Sequence, residues 1–298
     1  MLNDAHCHFF STNLLAALGK GLKGADPSAP APRALEILGW DAPGTAEDLA
    51  DRWVAELDAN GVTRAALIAS IPGDTASVAA AVRRHPTRLV GFFMVDPTQS
   101  DMAVLTAAAL DEDRLRTICL FPAMHRYWLH DERVRSLLDL AAARPGTAVF
   151  VHCGVLSVGV RKKLGLPSPF DIRFGNPLDL HALALRYPQV PVIIPHFGAG
   201  LLRETLMVAD LCPNVHVDTS SSNGWIKYVP GLTLSAVFRQ ALAVLGPDRI
   251  LFGTDSSFFP RGWVADVYEQ QSSALDDIGA SADVREKIFG ANFDRVFP

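Results

Sequence analysis

The sequence has few of the features that mark exported, membrane-spanning or disulfide-stabilised proteins. Its 298 residues include four cysteines, which are scattered and form no Cys-X-X-Cys pair, so no disulfide framework is expected. The longest mostly apolar stretch, residues 148–160, is interrupted by His152 and is too short to cross a bilayer. The first residues lack the charged and apolar regions of a secretory signal. We therefore expect a cytoplasmic protein with reduced thiols and no membrane partner.

The sequence also lacks an excess of positive charge. Lys and Arg number 27 against 32 Asp and Glu, which gives a net charge of −5. Nucleic-acid recognition needs a concentrated basic surface, so no DNA or RNA partner is expected. Hydrophobic residues make up 49% of the chain and charged residues 20%, which is typical of a globular protein with a large core.

Short apolar runs alternate with longer helical stretches along the whole chain. Helical periodicity is clearest in three stretches, Ala46–Ala59, Asp131–Ala143 and Pro177–Tyr187. The predicted strands are Leu2–His8, Arg64–Ser70, Leu89–Val95, Leu115–Phe121, Ala148–His152, Val192–His196, Val215–Thr219 and Ile250–Thr254. Eight strand–helix repeats in about 255 residues favour a (β/α)8 barrel, one domain over residues 1–298. An open, doubly wound parallel sheet is the alternative.

Three long segments punctuated by Gly and Pro break the regular spacing. They are Phe9–Thr45, Gly154–Gly175 and Ser220–Gly231, and each directly follows a predicted strand. Because a barrel carries its functional site on the loops after its strands, we expect the site at this rim.

The first strand carries two histidines in the sequence Asp4-Ala5-His6-Cys7-His8. Strand alternation predicts that Asp4, His6 and His8 face the barrel interior while Ala5 and Cys7 face the helices. Two imidazoles on one face can hold one metal ion.

Three other ionisable residues end or directly follow apolar strands, namely His152, His196 and Asp255. In a barrel the carboxyl ends of all strands open onto one rim, so these side chains can converge with His6 and His8. Three imidazoles and one carboxylate, with a position left for water, make an open site for a borderline divalent cation.

Several of these segments together resemble the metal-dependent amidohydrolase superfamily, in the branch that contains aminocarboxymuconate semialdehyde decarboxylase and related aromatic-acid decarboxylases. The resemblance rests on residues 4–8, 151–154, 195–200, 214–220, 248–255 and 288–297. It implies that His6, His8, His152 and Asp255 bind the metal and that His196 is the acid/base or orienting residue beside it. It also suggests a homodimer.

We expect one divalent ion rather than two. The wider superfamily often bridges two metals with a modified Lys or a Glu at the end of strand four, and this strand ends Leu120-Phe121-Pro122. Zinc is the first expectation, and the ligand set also accepts manganese, iron or cobalt.

The segments after the strands offer contacts for a small-molecule substrate of aromatic or anionic character. The cluster His125, Arg126 and Tyr127 follows strand four, while Arg173 and Arg161-Lys162-Lys163 offer cations for a carboxylate. Aromatic residues that could line an apolar pocket are Phe9, Phe10, Trp40, Phe170, Trp225, Tyr228, Phe258 and Phe259.

Three functions are compatible with this site. The first is hydrolysis of an amide, ester or lactone by a metal-activated water, with Asp255 accepting a proton and His196 acting on the oxyanion or leaving group. The second is non-oxidative decarboxylation of an aromatic or unsaturated acid, whose carboxylate would bind Arg173, Arg126 or Arg161. The third is a barrel that binds a metal or ligand without turnover.

Overall fold

Eight parallel strands form one sheet in the order β1 to β8 in the computed structural model, which describes residues 1–221 and 223–298. The strands are β1 Asn3–Phe9, β2 Arg64–Ala69, β3 Leu89–Val95, β4 Thr117–Leu120, β5 Ala148–Val151, β6 Val192–Ile194, β7 Val215–Asp218 and β8 Ile250–Leu251. The first and last strands meet, since Ala5 N–H donates to Phe252 O at 2.8 Å and Asp255 N–H to His6 O at 2.9 Å. This closure confirms the (β/α)8 barrel and rules out the open sheet.

Helices surround the barrel and fill the longer connections. They are α1 Thr12–Gly19, α2 Ala31–Leu38, α3 Ala46–Ala59, α4 Thr75–Arg84, α5 Met102–Asp111, α6 Pro122–His125, α7 Glu132–Ala142, α8 Gly159–Lys163, α9 His181–Arg186, α10 Leu202–Leu211, α11 Leu234–Leu245, α12 Ala265–Asp277, α13 Ala282–Glu286 and α14 Asn292–Val296. Within the described part of the chain, none is both long and apolar enough to cross a membrane.

The long segments after strands one and five are more ordered than the sequence indicated. Phe9–Thr45 contains α1 and α2, and Gly154–Gly175 contains α8. The predicted helix Pro177–Tyr187 is instead a 3₁₀ turn over Pro177–Leu180 followed by α9.

The predicted alternation along β1 is wrong at Asp4 and Ala5. Ala5 packs in the barrel interior, whereas Asp4 accepts a hydrogen bond from Trp263 Nε1 at 2.7 Å. The pairing of β1 with β2 shifts register between Asp4 and Cys7, and such a bulge re-aims the side chains next to it. His6 still faces inward, with its ring 5.1 Å from that of Phe150.

The barrel interior is closed at the amino ends of the strands by α14. Phe293 and Phe297 belong to the interior core, and Phe297 lies 5.1 Å from Phe92 between ring centroids. Asn292 Nδ2 donates to the carbonyls of Pro247 and Ile250, both at 2.7 Å, which ties α14 to the start of β8. The opposite end of the barrel is therefore the one open to ligands.

Gly154 lets the end of β5 approach the turn after β6. Its φ is +75°, and a Cβ at this position would lie 2.2 Å from Gly198 O and 2.5 Å from Ala199 O. We expect Gly154→Ala to lower the free energy of unfolding by about 3 kcal/mol, through left-handed strain and the backbone clash. Gly159→Ala is the control, because a Cβ there meets nothing within 4 Å. Denaturant unfolding of both variants measures the difference, and equal stability would contradict this packing argument.

All four cysteines are buried and unpaired. Burial raises the pKa of each thiol, so little thiolate forms at pH 8. We expect the native protein to react with a thiol reagent at least tenfold more slowly than the unfolded chain, which should titrate as four thiols. Rapid modification of the native protein would show that a cysteine is exposed.

Candidate metal centre

Three of the predicted ligand residues meet at the open end of the barrel. His8 Nε2 lies 3.1 Å from Asp255 Oδ1, and His6 Nε2 lies 3.6 Å from the same oxygen. The two Nε2 atoms are 3.4 Å apart. Each of the three residues offers one ligand atom and these atoms lie close enough to share one ion, so this group, the His6–His8–Asp255 trio, is the candidate metal centre.

The far side of each imidazole is held by a hydrogen-bond acceptor. His6 Nδ1 lies 2.9 Å from Asp218 Oδ2, and His8 Nδ1 lies 2.8 Å from Ser70 Oγ. Such partners select the tautomer that carries its proton on Nδ1 and leave Nε2 free as a ligand atom. Both histidines are therefore set up to bind a metal through Nε2.

The buried carboxylate of Asp218 also organises His196. Its Oδ1 accepts hydrogen bonds from the backbone N–H of His196 at 3.1 Å, from the N–H of Ser220 at 3.0 Å and from the Ser220 hydroxyl. Ser220 Oγ in turn lies 2.8 Å from His196 Nδ1 and 2.9 Å from His6 Nδ1. One carboxylate therefore positions a metal-ligand candidate and the neighbouring imidazole together.

The Nδ1 atom of His196 faces two acceptors, the hydroxyl and the carbonyl oxygen of Ser220. It therefore carries the proton, and Nε2 is the atom available to a substrate. His196 does not continue strand β6 as the sequence suggested but lies in the 3₁₀ turn Pro195–Gly198, because Pro195 cannot extend the ladder. Its φ is 55°, and Asp255 has a φ of 60°, so both residues hold backbone conformations that are costly outside glycine.

His152 lies beside this group but outside the trio. Its ring stacks on Phe121 at 5.5 Å and lies 5.2 Å from the ring of His196. The side chain is buried, and no described residue hydrogen-bonds its Nδ1 atom. An unpartnered buried ring nitrogen is costly without a ligand, so this atom fits the predicted role in metal binding.

The pKa shifts of Asp255, His152 and His196 favour the protonation states that metal binding requires, whereas the shift of His6 favours its protonated form. Burial opposes ionisation of Asp255, but the hydrogen bond with His8 and the nearby His6 outweigh it and hold the pKa well below its ordinary value. Burial lowers the pKa of both His152 and His196, so these rings are neutral at pH 7. Burial also opposes the charged form of His6, but Asp218 outweighs it and raises the pKa of His6.

A cavity of about 880 Å³ opens from the trio toward solvent. Of the predicted substrate-contact residues, Trp225 lines it, as do Arg161 and Lys163. Five of the other predicted aromatic residues also line it, namely Phe10, Trp40, Phe170, Tyr228 and Phe258. Phe9 is buried in the core between sheet and helices, and Phe259 packs on Trp53.

The structure places His125, Arg126, Tyr127 and Arg173 outside this lining. Arg126 donates twice to the carbonyl of Pro169, and Arg173 forms a bidentate ion pair with Asp171, whose pKa it lowers to about 2. Tyr127 is buried in the core between sheet and helices. Local partners therefore occupy both guanidinium groups, whereas burial removes Tyr127 from the substrate.

A different cation, which the sequence pattern did not indicate, lines the cavity instead. Arg261 lines the cavity, and its Nη2 lies 2.9 Å from Ser257 Oγ and 3.4 Å from Asp255 O. Its guanidinium stacks over Phe258 at 4.8 Å, and no carboxylate of the described residues pairs with it. Arg261 is thus a cavity-lining guanidinium that contacts the backbone of Asp255 and has no acidic partner among the described residues.

The model of the family described as Amidohydrolase matches residues 3–298 of this sequence. The chain belongs to the amidohydrolase family. This family is metal-dependent, and the converging ligand atoms of the trio fit a divalent ion in this amidohydrolase.

Among curated proteins, Protein fluG of Emericella nidulans is 27% identical over 155 residues, which are 50% of this chain and 16% of that protein. The chain thus spans only a small part of the length of this relative.

Solved structures share the barrel at low sequence identity. The 5-carboxyvanillate decarboxylase LigW from Sphingomonas paucimobilis superposes with a TM-score of 0.66 at 16% identity, over 99% of this chain and 98% of that one. A zinc-bound amidohydrolase from Burkholderia multivorans gives 0.65 at 16% identity, over 100% and 99%. A probable 2-pyrone-4,6-dicarboxylic acid hydrolase from Acinetobacter baumannii, with citric acid bound, gives 0.63 at 15% identity, over 99% and 98%. These likenesses establish the fold.

We expect Asp218→Asn to weaken metal binding by about 10- to 100-fold, because His6 loses the partner that orients its ring. Ser70→Ala should weaken it in the same direction through His8. Titration calorimetry of the metal-free protein with zinc measures both, and Asp276→Asn, at an exposed ion pair, is the control. Wild-type affinity in Asp218→Asn would show that this carboxylate does not support the ligand.

Proposed function

We propose that this amidohydrolase is a mononuclear, divalent-metal-dependent hydrolase of a small amide, ester or lactone. The observation that carries the proposal is the convergence of His6 Nε2, His8 Nε2 and Asp255 Oδ1 beside His196, whose proton-bearing Nδ1 is turned away toward Ser220. An ion-binding group next to an imidazole with a free Nε2 is the arrangement that hydrolysis requires.

A divalent cation bound by His6, His8, His152 and Asp255 would supply Lewis acidity, which lowers the pKa of water and polarises a carbonyl. The carboxylate of Asp255 is ionised, because its pKa is held low, and so can accept a proton from the attacking water. The neutral ring of His196 carries no proton at Nε2, so it can take up the proton lost by the water and pass it to the leaving group, while Ser220 and Asp218 keep the ring in place.

The substrate we propose carries a carboxylate. Four cations line the cavity, namely Arg161, Lys163, Lys227 and Arg261, against the single acid Asp255 among the described lining residues. Arg261 is the first candidate to bind the carboxylate, because it contacts the backbone of Asp255 and has no acidic partner.

Decarboxylation of an aromatic or unsaturated acid is the second candidate. It is favoured by the likeness to a 5-carboxyvanillate decarboxylase and by the aromatic residues in the cavity wall. It uses the same ligands but requires a proton to be delivered to carbon, and it needs a cation for the departing carboxylate. Arg261 and Arg161 can serve this purpose.

The deciding experiment combines metal analysis with turnover. We expect about one equivalent of a transition metal in the wild-type protein and less than a tenth in His6→Ala. The metal-loaded protein is then screened with lactones, amides and esters for hydrolysis, and with aromatic acids for CO2 release. Hydrolysis without CO2 release supports the proposal, whereas CO2 release alone replaces it with the decarboxylase. If the metal-loaded protein turns over none of these compounds, both reactions are ruled out for them and the protein is a barrel that binds metal without turnover.

We expect His196→Asn to lower kcat by about 10²- to 10⁴-fold, the usual contribution of a general acid–base group, and to retain the metal. His130→Asn, at an exposed histidine outside the cavity, should match the wild type. An active His196→Asn enzyme would remove His196 from the mechanism.

A further inference from the structure

The cavity has two ends with different walls. At the inner end, Met94 and Phe121 belong to the barrel interior core and lie with the histidines. At the outer end, the lining residues Leu14, Leu18 and Val160 belong to a separate apolar cluster, which α1, α2 and α8 build outside the barrel. We call this outer end the apolar lobe.

A row of aromatic side chains leads from the metal centre outward to the apolar lobe. The ring of Phe10 lies 6.1 Å from that of His8, and the ring of Trp40 lies 6.3 Å beyond Phe10. Leu14 and Leu18 are one turn apart on α1, which places them about 6 Å apart along the helix axis. The wall therefore extends at least two ring-to-ring steps past the trio.

The cavity is also larger than the reacting group alone needs. Its volume of about 880 Å³ lies in the upper part of the range of roughly 300–1,000 Å³ that holds drug-sized ligands. Lys163 is a cation on this wall, with its Nζ 5.9 Å from the centre of the Trp40 ring. Beside Leu14, Leu18 and Val160, water finds few hydrogen-bond partners, so an apolar group gains by displacing it.

We infer that the substrate has two parts, a polar reacting head at the metal centre and an extended apolar body in the apolar lobe. The head rests on the proposed function, whereas the body is inferred from the lobe alone. The substrate class is therefore an amphipathic anion, such as an acylated or alkyl-substituted carboxylic acid, rather than a compact polar one.

Binding of straight-chain carboxylates to the zinc-loaded protein tests this inference. Butanoate, hexanoate, octanoate and decanoate share one head and differ only in the body. Burial of one methylene corresponds to about a fourfold change in Kd at full burial. We expect calorimetry to show affinity rising at least tenfold from butanoate to octanoate. Equal affinities across the series, or no binding by any member, would overturn the inference.

Substitutions in the apolar lobe test the binding of the apolar body independently of the binding of the head. Leu18→Trp and Ile71→Trp each fill the lobe, and Ile71 is a half-buried loop residue at which a larger side chain is more easily accommodated. We expect both to abolish the dependence on chain length while butanoate binds within threefold of wild type. Ala17→Trp adds the same bulk on the exposed side of α1 and should keep the dependence. A retained length dependence in both lobe variants would show that the chain binds elsewhere.

Removal of the metal distinguishes the two proposals. Without zinc, the Kd of every carboxylate should rise by a similar factor. The ratio of the Kd of butanoate to that of octanoate should therefore remain unchanged. If the length dependence holds but no ester, amide or lactone is hydrolysed, the proposed reaction fails and the apolar lobe stands. If hydrolysis occurs without length dependence, the reaction stands and the lobe assignment fails.

Discussion

The candidate site depends on one buried carboxylate, that of Asp218. It stands at the end of β7 and reaches His6 through the ring, His196 through the backbone and both through Ser220. A buried charge is tolerated only when such partners compensate its lost hydration. The same contacts fix the imidazoles of His6 and His196 relative to each other. The hydrogen bonds that stabilise the buried charge of Asp218 therefore also set the geometry of the site.

That geometry is maintained against local strain. His196, Phe197 and Ala199 in the turn after β6, and Asp255 after β8, all have positive φ angles. Each such residue costs on the order of 1–3 kcal/mol. The closed barrel can sustain this cost because its interior and its sheet–helix layer bury most of the large apolar side chains. Two of these four residues, His196 and Asp255, carry the side chains that the proposed chemistry uses.

The sequence predicted most of the fold and the centre of the site, because polar residues at the ends of apolar strands converge once the barrel closes. The same rule applied to Val215–Asp218 would have found Asp218. The orientation of Ala5 could not be predicted in this way, because the register shift between β1 and β2 depends on how the two strands pair and not on alternation along one strand. The sequence predicted Arg173 as a substrate contact, but the loop conformation pairs it with Asp171 instead. Loop conformation also brings Arg261 to the cavity, and neither outcome can be read from strand or helix periodicity.

The last helix gives the barrel an order of assembly. Phe293 and Phe297 complete the interior against Phe92, which lies about two hundred residues earlier in the chain. Contacts between such distant segments are slow to form, because loop-closure entropy must be overcome first. On the ribosome, the strands can therefore pair before their shared interior is filled. The end of the barrel opposite the histidines is sealed only when Phe293 and Phe297 have packed into the interior.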